Sequence, residues 1–251
     1  MTNSYNPFSL NNKTVLVTGA SSGIGKAIAV ECSKMGASVI ITGRNEERLH
    51  QTFELLERGN LHKEIVCDLQ SEEKIRELTE QLPVLNGIVH AAGIVKTLPF
   101  QFISSMELNN IFDVNFFAPV LLSQILTKTK KISKEASIVF ISSINGPVTA
   151  LVGNSMYAAS KAAVVAMAKN MALELASKKV RVNCILPGMT ETPMIQLENI
   201  TQEQLEADKK LYPLKRYGKP EEIAYAAVYF LSDASAWTTG ASLIIDGGIT
   251  L

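Results

Sequence analysis

The sequence predicts an α/β fold: a single domain built on a doubly wound parallel sheet of about seven strands, with helices on both faces. Three observations predict it. Short runs rich in β-branched residues alternate with longer amphipathic stretches from Lys13 onward, the pattern of repeated strand-helix-strand units. The first such run, Val15-Leu16-Val17, passes directly into a glycine-rich turn, Thr18-Gly19-Ala20-Ser21-Ser22-Gly23-Ile24-Gly25-Lys26. A chain of 251 residues, 47% hydrophobic and 19% charged, holds enough apolar material for one large core.

Taken in order, the strands read as Thr14–Thr18, Ser38–Thr42, Glu64–Cys67, Gly87–Ala91, Ser137–Ile141, Arg181–Ile185 and Ser242–Ile245. Their unbroken apolar character fits strands covered on both faces. Between them, helices read at Gly23–Met35, Glu46–Arg58, Ser71–Gln81, Glu107–Lys128, Ser155–Ser177 and Pro220–Leu231. The last opens on Pro220 with Glu221 and Glu222 behind it: proline suits a first turn, and carboxylates suit the positive end of the dipole. Residues 1–12 form a polar arm. The segment Met189–Tyr217 breaks the alternation, with Pro193 and Pro213 around a mostly polar, helix-like piece, Thr201–Leu211. An insertion of that length beside a sheet reads as a substrate flap.

Composition excludes several classes of function. The 24 basic and 24 acidic residues cancel, whereas a nucleic-acid binder needs a basic excess or stripe. No run of roughly 18 apolar residues is evident for a membrane span, and Met1 to Lys13 is too polar for a signal peptide, so the expected location is the cytoplasm. Cys32, Cys67 and Cys184 are odd in number and set among apolar residues, as buried reduced thiols are. His50, His62 and His90 have no metal-ligand spacing, and no metal is expected.

The glycine-rich turn raises a choice between ATP and a dinucleotide. An ATP loop needs Gly, four residues, Gly-Lys, then a hydroxyl for magnesium. Here five residues separate Gly19 from Gly25, and Lys26 is followed by Ala27. The ATP reading fails on both counts. The pattern that remains, Gly19, Gly23 and Gly25 at a strand-to-helix turn, still aims free helix N–H groups at a phosphate. In a dinucleotide site, an acid about 20 residues past the glycines would bind the adenosine ribose. This chain has Gly43-Arg44 there, and a cation suits the extra 2′-phosphate of NADP. Ser21, Ser22 and Asn45 could add hydrogen bonds to the same phosphate.

Tyr157 and Lys161 lie four apart in the helix Ser155–Ser177 and so share one face. A phenol titrates near ~10, and a neighbouring cation favours phenolate, which suits exchange of a proton with a carbonyl oxygen at neutral pH.

At this point the chain resembles the short-chain dehydrogenases/reductases in their compact form, with a Rossmann-type sheet. The resemblance runs from Lys13 to Gly248 through motifs in family order: Thr18 to Gly25, Asp68, Ala91-Ala92-Gly93, Asn115, Ser142-Ser143, Tyr157 with Lys161, Pro187-Gly188, and Ile245-Asp246-Gly247-Gly248. It implies that Tyr157 gives or takes the substrate proton, and that Lys161 tunes it and bonds the nicotinamide ribose. Ser143 would orient the substrate oxygen, with Ser142 as the alternative, and Asn115 would hold a proton-relaying water. Gly19, Ser21, Ser22, Gly23, Ile24, Gly25 and Arg44 would hold the phosphates. Asp68 with Leu69 would meet the adenine, and Ala92 and Gly93 the adenosine ribose. Pro187, Gly188, Thr190 and Thr192 would embrace the nicotinamide end.

The chain departs from the family in having His90-Ala91-Ala92-Gly93 where Asn-Asn-Ala-Gly is frequent, and His90 is expected to be a packed core side chain. The implied activity is NADP(H)-linked interconversion of a ketone and a secondary alcohol, closest in pattern to 3-oxoacyl-carrier-protein reduction. The alternatives are a steroid, sugar or polyol substrate, or a non-catalytic dinucleotide-binding regulator. A nucleotide-sugar epimerase would need a longer C-terminal region. Lys128, Lys130, Lys131 and Lys134, with Lys178 and Lys179, could steer an acidic acyl carrier protein toward the mouth of the site. The resemblance also implies a homotetramer packed through Glu107–Lys128 and Ser155–Ser177, where Met167, Met171, Leu173 and Leu175 serve either that interface or the core.

Overall fold

A computed structural model describes residues 5–195 and 201–251. Residues 1–4 of the polar arm and 196–200 of the expected flap lie outside the described residues.

Seven parallel strands form one sheet in the order β3-β2-β1-β4-β5-β6-β7. They are β1 (Thr14–Thr18), β2 (Ser38–Gly43), β3 (Lys63–Val66), β4 (Leu85–His90), β5 (Ile132–Ile141), β6 (Arg181–Pro187) and β7 (Ser242–Ile245). The helices are α1 (Gly23–Lys34), α2 (Glu46–Phe53), α3 (Glu72–Gln81), α4 (Ser105–Phe112), α5 (Ala118–Lys128), α6 (Ser155–Leu175), α7 (Gln202–Lys209) and α8 (Pro220–Leu231).

The two-residue period of the strands sorts the core into two halves. Leu16, Ile40, Ile88, Ile138 and Val182 point toward α3, α5 and α6, while Val15, Val39, Val89, Val139 and Ile185 point toward α1 and α8. Each buried side chain of this size contributes about 1.5–3 kcal/mol. Both faces of the central strands are therefore covered, while β7 at the edge leaves Leu243 and Ile244 exposed.

The boundaries differ from expectation where side chains outside the pattern intervene. The second helix stops at Phe53 rather than Arg58, because Leu55 and Leu56 turn tightly onto the Thr52 and Phe53 carbonyls (3.1 Å each) and Leu56 is driven into the core. β5 begins five residues early, at Ile132, and its pairing with β4 shifts register between Leu85 and Gly87. The helix expected at Glu107–Lys128 starts at Ser105, with the Ser104 hydroxyl accepting from Glu107 N, and it is interrupted by a π-turn at Asp113–Phe117. Pro119 stands four residues after Asn115 and has no N–H to give the Asn115 carbonyl its α-helical partner.

Taken together, Ser105–Lys128 is a 24-residue helical run whose most apolar 18-residue window has a mean hydropathy of 1.2, long and apolar enough by composition alone to cross a membrane. Sequence inspection missed it because Asn109, Asn110, Asp113 and Asn115 punctuate the run. Half of its most apolar window is buried, with Ala118, Leu122, Ile125 and Leu126 in the core.

One ammonium group closes a helix from outside. Lys131 donates to the carbonyls of Thr79 (2.6 Å), Glu80 (2.9 Å) and Leu82 (2.7 Å), where α3 ends, and its own carbonyl accepts from Leu85 N as β4 begins. Cations there oppose the negative end of the dipole. Replacement Lys131→Met should cost about 2 kcal/mol and lower the thermal midpoint by several degrees, whereas exposed Lys128→Met should change stability by less than about 0.5 kcal/mol. Calorimetry of the two variants checks the difference.

Candidate active site

Parallel strands all deliver their carboxyl ends to one edge of the sheet, and ligands of open α/β sheets bind there. The sequence-predicted residues follow those ends. The glycine turn follows β1, Arg44 follows β2, Asp68 lies just past β3, Ala91 to Gly93 follow β4, Ser142 and Ser143 follow β5, and Gly188 follows β6.

At the turn after β1, Gly19 and Gly23 hold φ of +66° and +53°, values that disfavour any residue with a Cβ. A Cβ on Gly19 would stand 2.6 Å from the Ala92 backbone, and one on Gly25 would collide with the Gly19 carbonyl. The turn is thereby pressed against the loop after β4. Thr18 fixes that contact, its hydroxyl accepting from Ala91 N (3.2 Å) and Ala92 N (3.3 Å). Ser22, extended at the N-cap of α1, makes no side-chain cap bond, so the first amides of the helix remain directed outward. Such a cradle fits a pyrophosphate.

Ser21 reaches the end of β2: its Cβ and Oγ lie 3.3 Å from where a Cβ on Gly43 would stand. Arg44 is exposed, and its Nη1 stands 3.5 Å from the Gln70 side-chain oxygen, a neutral acceptor. Among the described residues its charge is not matched by an ion pair. Asn45 is engaged elsewhere, capping α2 by accepting from Arg48 N (2.8 Å). Arg44 and Asp68 line one cleft of about 350 Å³ together with Cys67 and Lys74. The Leu69 side chain turns away into the core.

On α6, Lys161 is 5% exposed. Its Nζ donates to the Ile141 carbonyl (2.8 Å) and lies 5.7 Å from the centre of the Tyr157 ring. Burial disfavours the ammonium and pulls its pKa from 10.5 down to about 8. A Cβ on Gly93 would stand 3.3 Å from this Nζ and 3.4 Å from Asn115 Oδ1, so the three residues meet. The Asn115 side chain is fully used: Oδ1 accepts from Ile94 N (2.8 Å), and Nδ2 donates to the Ile94 carbonyl (2.9 Å) and to Ser160 Oγ (3.1 Å).

The two serines after β5 differ in what they touch. Ser142 Oγ donates to the Lys161 carbonyl (2.9 Å) and so anchors α6. Ser143 Oγ accepts from Asn145 N (3.1 Å), which leaves its own proton to donate.

Past β6, Gly188 lets the backbones of β6 and β7 converge, since a Cβ there would stand 2.9 Å from Asp246 Cα, and Gly188 N donates to the Ile245 carbonyl (2.9 Å). Thr190 turns its hydroxyl back to the Gly188 carbonyl (3.1 Å). Thr192 packs over the first turn, 3.2 Å from a Cβ placed on Gly23, and so brings the start of the 189–217 segment onto the glycine cradle.

His90 is a core side chain, stacked on Phe140 with ring centres 4.7 Å apart and paired with Ser123 Oγ (2.8 Å). Burial lowers its pKa to about 3, which keeps the ring neutral. The three cysteines are buried and free.

One expectation is overturned by topology. Lys128, Lys130, Lys131 and Lys134 sit where β5 begins, and Lys178 and Lys179 just before β6 begins, which is the edge of the sheet opposite Ser143 and Tyr157 of the same chain. Lys131 is occupied capping α3, and Lys179 pairs with Glu135 (2.9 Å). They do not flank the mouth of this chain's own site. Conversely, sequence reasoning missed the supporting hydroxyls of Thr18 and Ser160. Both had a signal, lying directly before Gly19 and Lys161.

Comparison with known proteins places this geometry. A family profile described as Enoyl-(Acyl carrier protein) reductase matches residues 19–250. The chain is 34% identical over 242 residues to the 3-oxoacyl-[acyl-carrier-protein] reductase FabG of Rickettsia bellii, covering 96% of this chain and 98% of that one. Among solved structures, a short-chain type dehydrogenase/reductase from Mycobacterium marinum superposes with a TM-score of 0.89 at 31% identity, over 97% of this chain and 98% of that one. The RhlG/NADP active-site complex of Pseudomonas aeruginosa superposes with a TM-score of 0.90 at 30% identity, over 98% and 100%.

The burial of Lys161 has a direct spectroscopic consequence. With lysine labelled at Cε, one resonance should titrate near pH 8, well below the ordinary value for a lysine. It should vanish in Lys161→Met. Titration of every lysine above pH 10 contradicts the lowered value.

Proposed function

The chain belongs to the short-chain dehydrogenase/reductase family and is an oxidoreductase, and from that premise we propose that it reduces the ketone of a 3-oxoacyl thioester with NADPH. The observation that carries the reading is the constellation of Tyr157, Lys161 and Ser143 at one strand edge beside the glycine cradle.

The cofactor, when bound, supplies the hydride. Reduction of a ketone leaves negative charge on its oxygen, which needs donors held within hydrogen-bond reach. Ser143, its hydroxyl oxygen already committed to Asn145 N, donates its proton to that oxygen. Tyr157 transfers a proton to it, and the Lys161 ammonium stabilises the phenolate left behind. Asn115 takes its part in proton return through its main-chain carbonyl, released by Pro119, because its side chain is already committed to Ile94 and Ser160.

Gly19, Ser21, Ser22, Gly23, Ile24 and Gly25 would hold the pyrophosphate. Arg44 would hold the 2′-phosphate, Asp68 and the Leu69 backbone the adenine, and Ala92 and Gly93 the adenosine ribose. Pro187, Gly188, Thr190 and Thr192 would enclose the nicotinamide. The same reading places the enzyme in the cytoplasm as a homotetramer that covers exposed apolar side chains such as Leu173, Trp237 and Ile244. Met171 and Leu175 pack partly into the core instead.

Enoyl thioester reduction is the second reading, favoured by the description of the family profile alone. A panel of acetoacetyl thioester, crotonyl thioester, a sugar ketone and a steroid ketone, each with NADPH and NADH, separates the possibilities. Acetoacetyl thioester should give the highest kcat/KM, and NADPH should exceed NADH more than tenfold, a margin that Arg44→Ala should erase. Preferred turnover of any other member assigns that substrate instead. Tyr157→Phe should abolish reduction and leave NADPH affinity within about threefold, since the phenol acts on the substrate oxygen. Sedimentation should give about four times the 27.3 kDa chain mass; a mass of one chain rejects the tetramer.

A further inference from the structure

Two residues past Ser143, Asn145 is 4% exposed, and neither the donor nor the acceptor atom of its side-chain amide meets a partner among the described residues. A buried amide without hydrogen bonds is costly and is retained only for a reason. Its surroundings are rigid. Its own N–H is held by Ser143 Oγ (3.1 Å), and the residues that follow bond one another through main chain, with Thr149 N on the Ile144 carbonyl and Gly146 N on the Thr149 carbonyl (2.9 Å each). Gly146, at φ +111°, lies so close to α6 that a Cβ there would collide with the Ala158 carbonyl, next to Tyr157. Asn145 is therefore fixed between the serine and the tyrosine-bearing helix. At the other end of the same loop, three residues before Tyr157, Asn154 Oδ1 is likewise buried without a partner among the described residues.

We propose that the Asn145 amide is a specificity-determining group that donates a hydrogen bond to a second oxygen of the substrate, close to the carbonyl being reduced. The proposal rests on the reading of Ser143 and Tyr157 as the groups that meet that carbonyl. In a 3-oxoacyl thioester the second oxygen is the thioester carbonyl; in a hydroxyketone it is the neighbouring hydroxyl. A plain ketone leaves the amide buried and unmet, and sites built to pair a polar group discriminate strongly against analogues that lack it.

The test compares wild type with Asn145→Leu, a similar shape without polar atoms, on acetoacetyl thioester, dihydroxyacetone and 2-hexanone. The wild type should prefer an oxygen-bearing substrate. Asn145→Leu should lower kcat/KM for that substrate at least tenfold and for 2-hexanone less than threefold, with the thermal midpoint unchanged or raised because no protein hydrogen bond is lost. Equal losses on all substrates, a lowered midpoint, or no loss on any overturns the assignment. Wild-type turnover of dihydroxyacetone without acetoacetyl thioester ends the thioester reading, and the Asn145 assignment is then decided on dihydroxyacetone. Wild type that reduces none of the three overturns both.

Discussion

Parallel pairing is the constraint on which everything else in this molecule rests. Once every strand runs the same way, each must be followed by a crossover on one face or the other, and all seven carboxyl ends arrive at one edge. Residues as distant in sequence as Gly19, Gly93, Ser143 and Gly188 become neighbours with no special arrangement of the chain. The same constraint sends the lysine-rich turns before β5 and β6 to the far edge. Charge and chemistry are thus segregated by strand direction alone.

At the functional edge, the structure relies on close backbone approach more than on side-chain contacts. Gly19 against Ala92, Gly25 against the Gly19 carbonyl and Gly188 against Asp246 are all contacts that a methyl group would break. They bring main-chain groups near enough to bind a ligand. Side chains with polar atoms then brace that backbone from behind: Thr18 holds the loop after β4, Asn115 holds Ile94, and Ser142 holds the carbonyl of Lys161. Lys161 itself is held by the Ile141 carbonyl, so the cation is located by the strand that also carries the serines.

Much of this was legible in the sequence, and the limits of that legibility have physical causes. The positions of the central strands followed from apolar runs because both of their faces are covered. Gly19, Tyr157 and Lys161 stood out as candidates by their spacing, which survives without any knowledge of packing, and the family resemblance supplied the roles proposed for them. Helix ends were less legible: the stop at Phe53 depends on where Leu56 finds room in the core, a tertiary fact. The interruption of the helix around Asn115 had a local signal in Pro119, but its importance appears only when the Asn115 side chain is seen beside Gly93, which the Lys161 ammonium also approaches. The lysine clusters were misplaced because a linear pattern does not reveal which edge of a sheet a loop occupies. Asn145 carried no signal at all, since an asparagine in a Gly-Pro loop reads as turn chemistry until its amide proves to be buried and unmet.

The position of β7 has a consequence for how the protein comes into being. This strand, Ser242–Ile245, is the last to be synthesised, yet its end receives Gly188 N and packs under the residues assigned to the nicotinamide end. The strands beside the glycine cradle, β1 to β5, pair with one another without it, whereas β6 has β7 as its outer neighbour. Phosphate-binding structure can therefore form independently of the nicotinamide end, where the Ile245 carbonyl of β7 must be in place to receive Gly188 N.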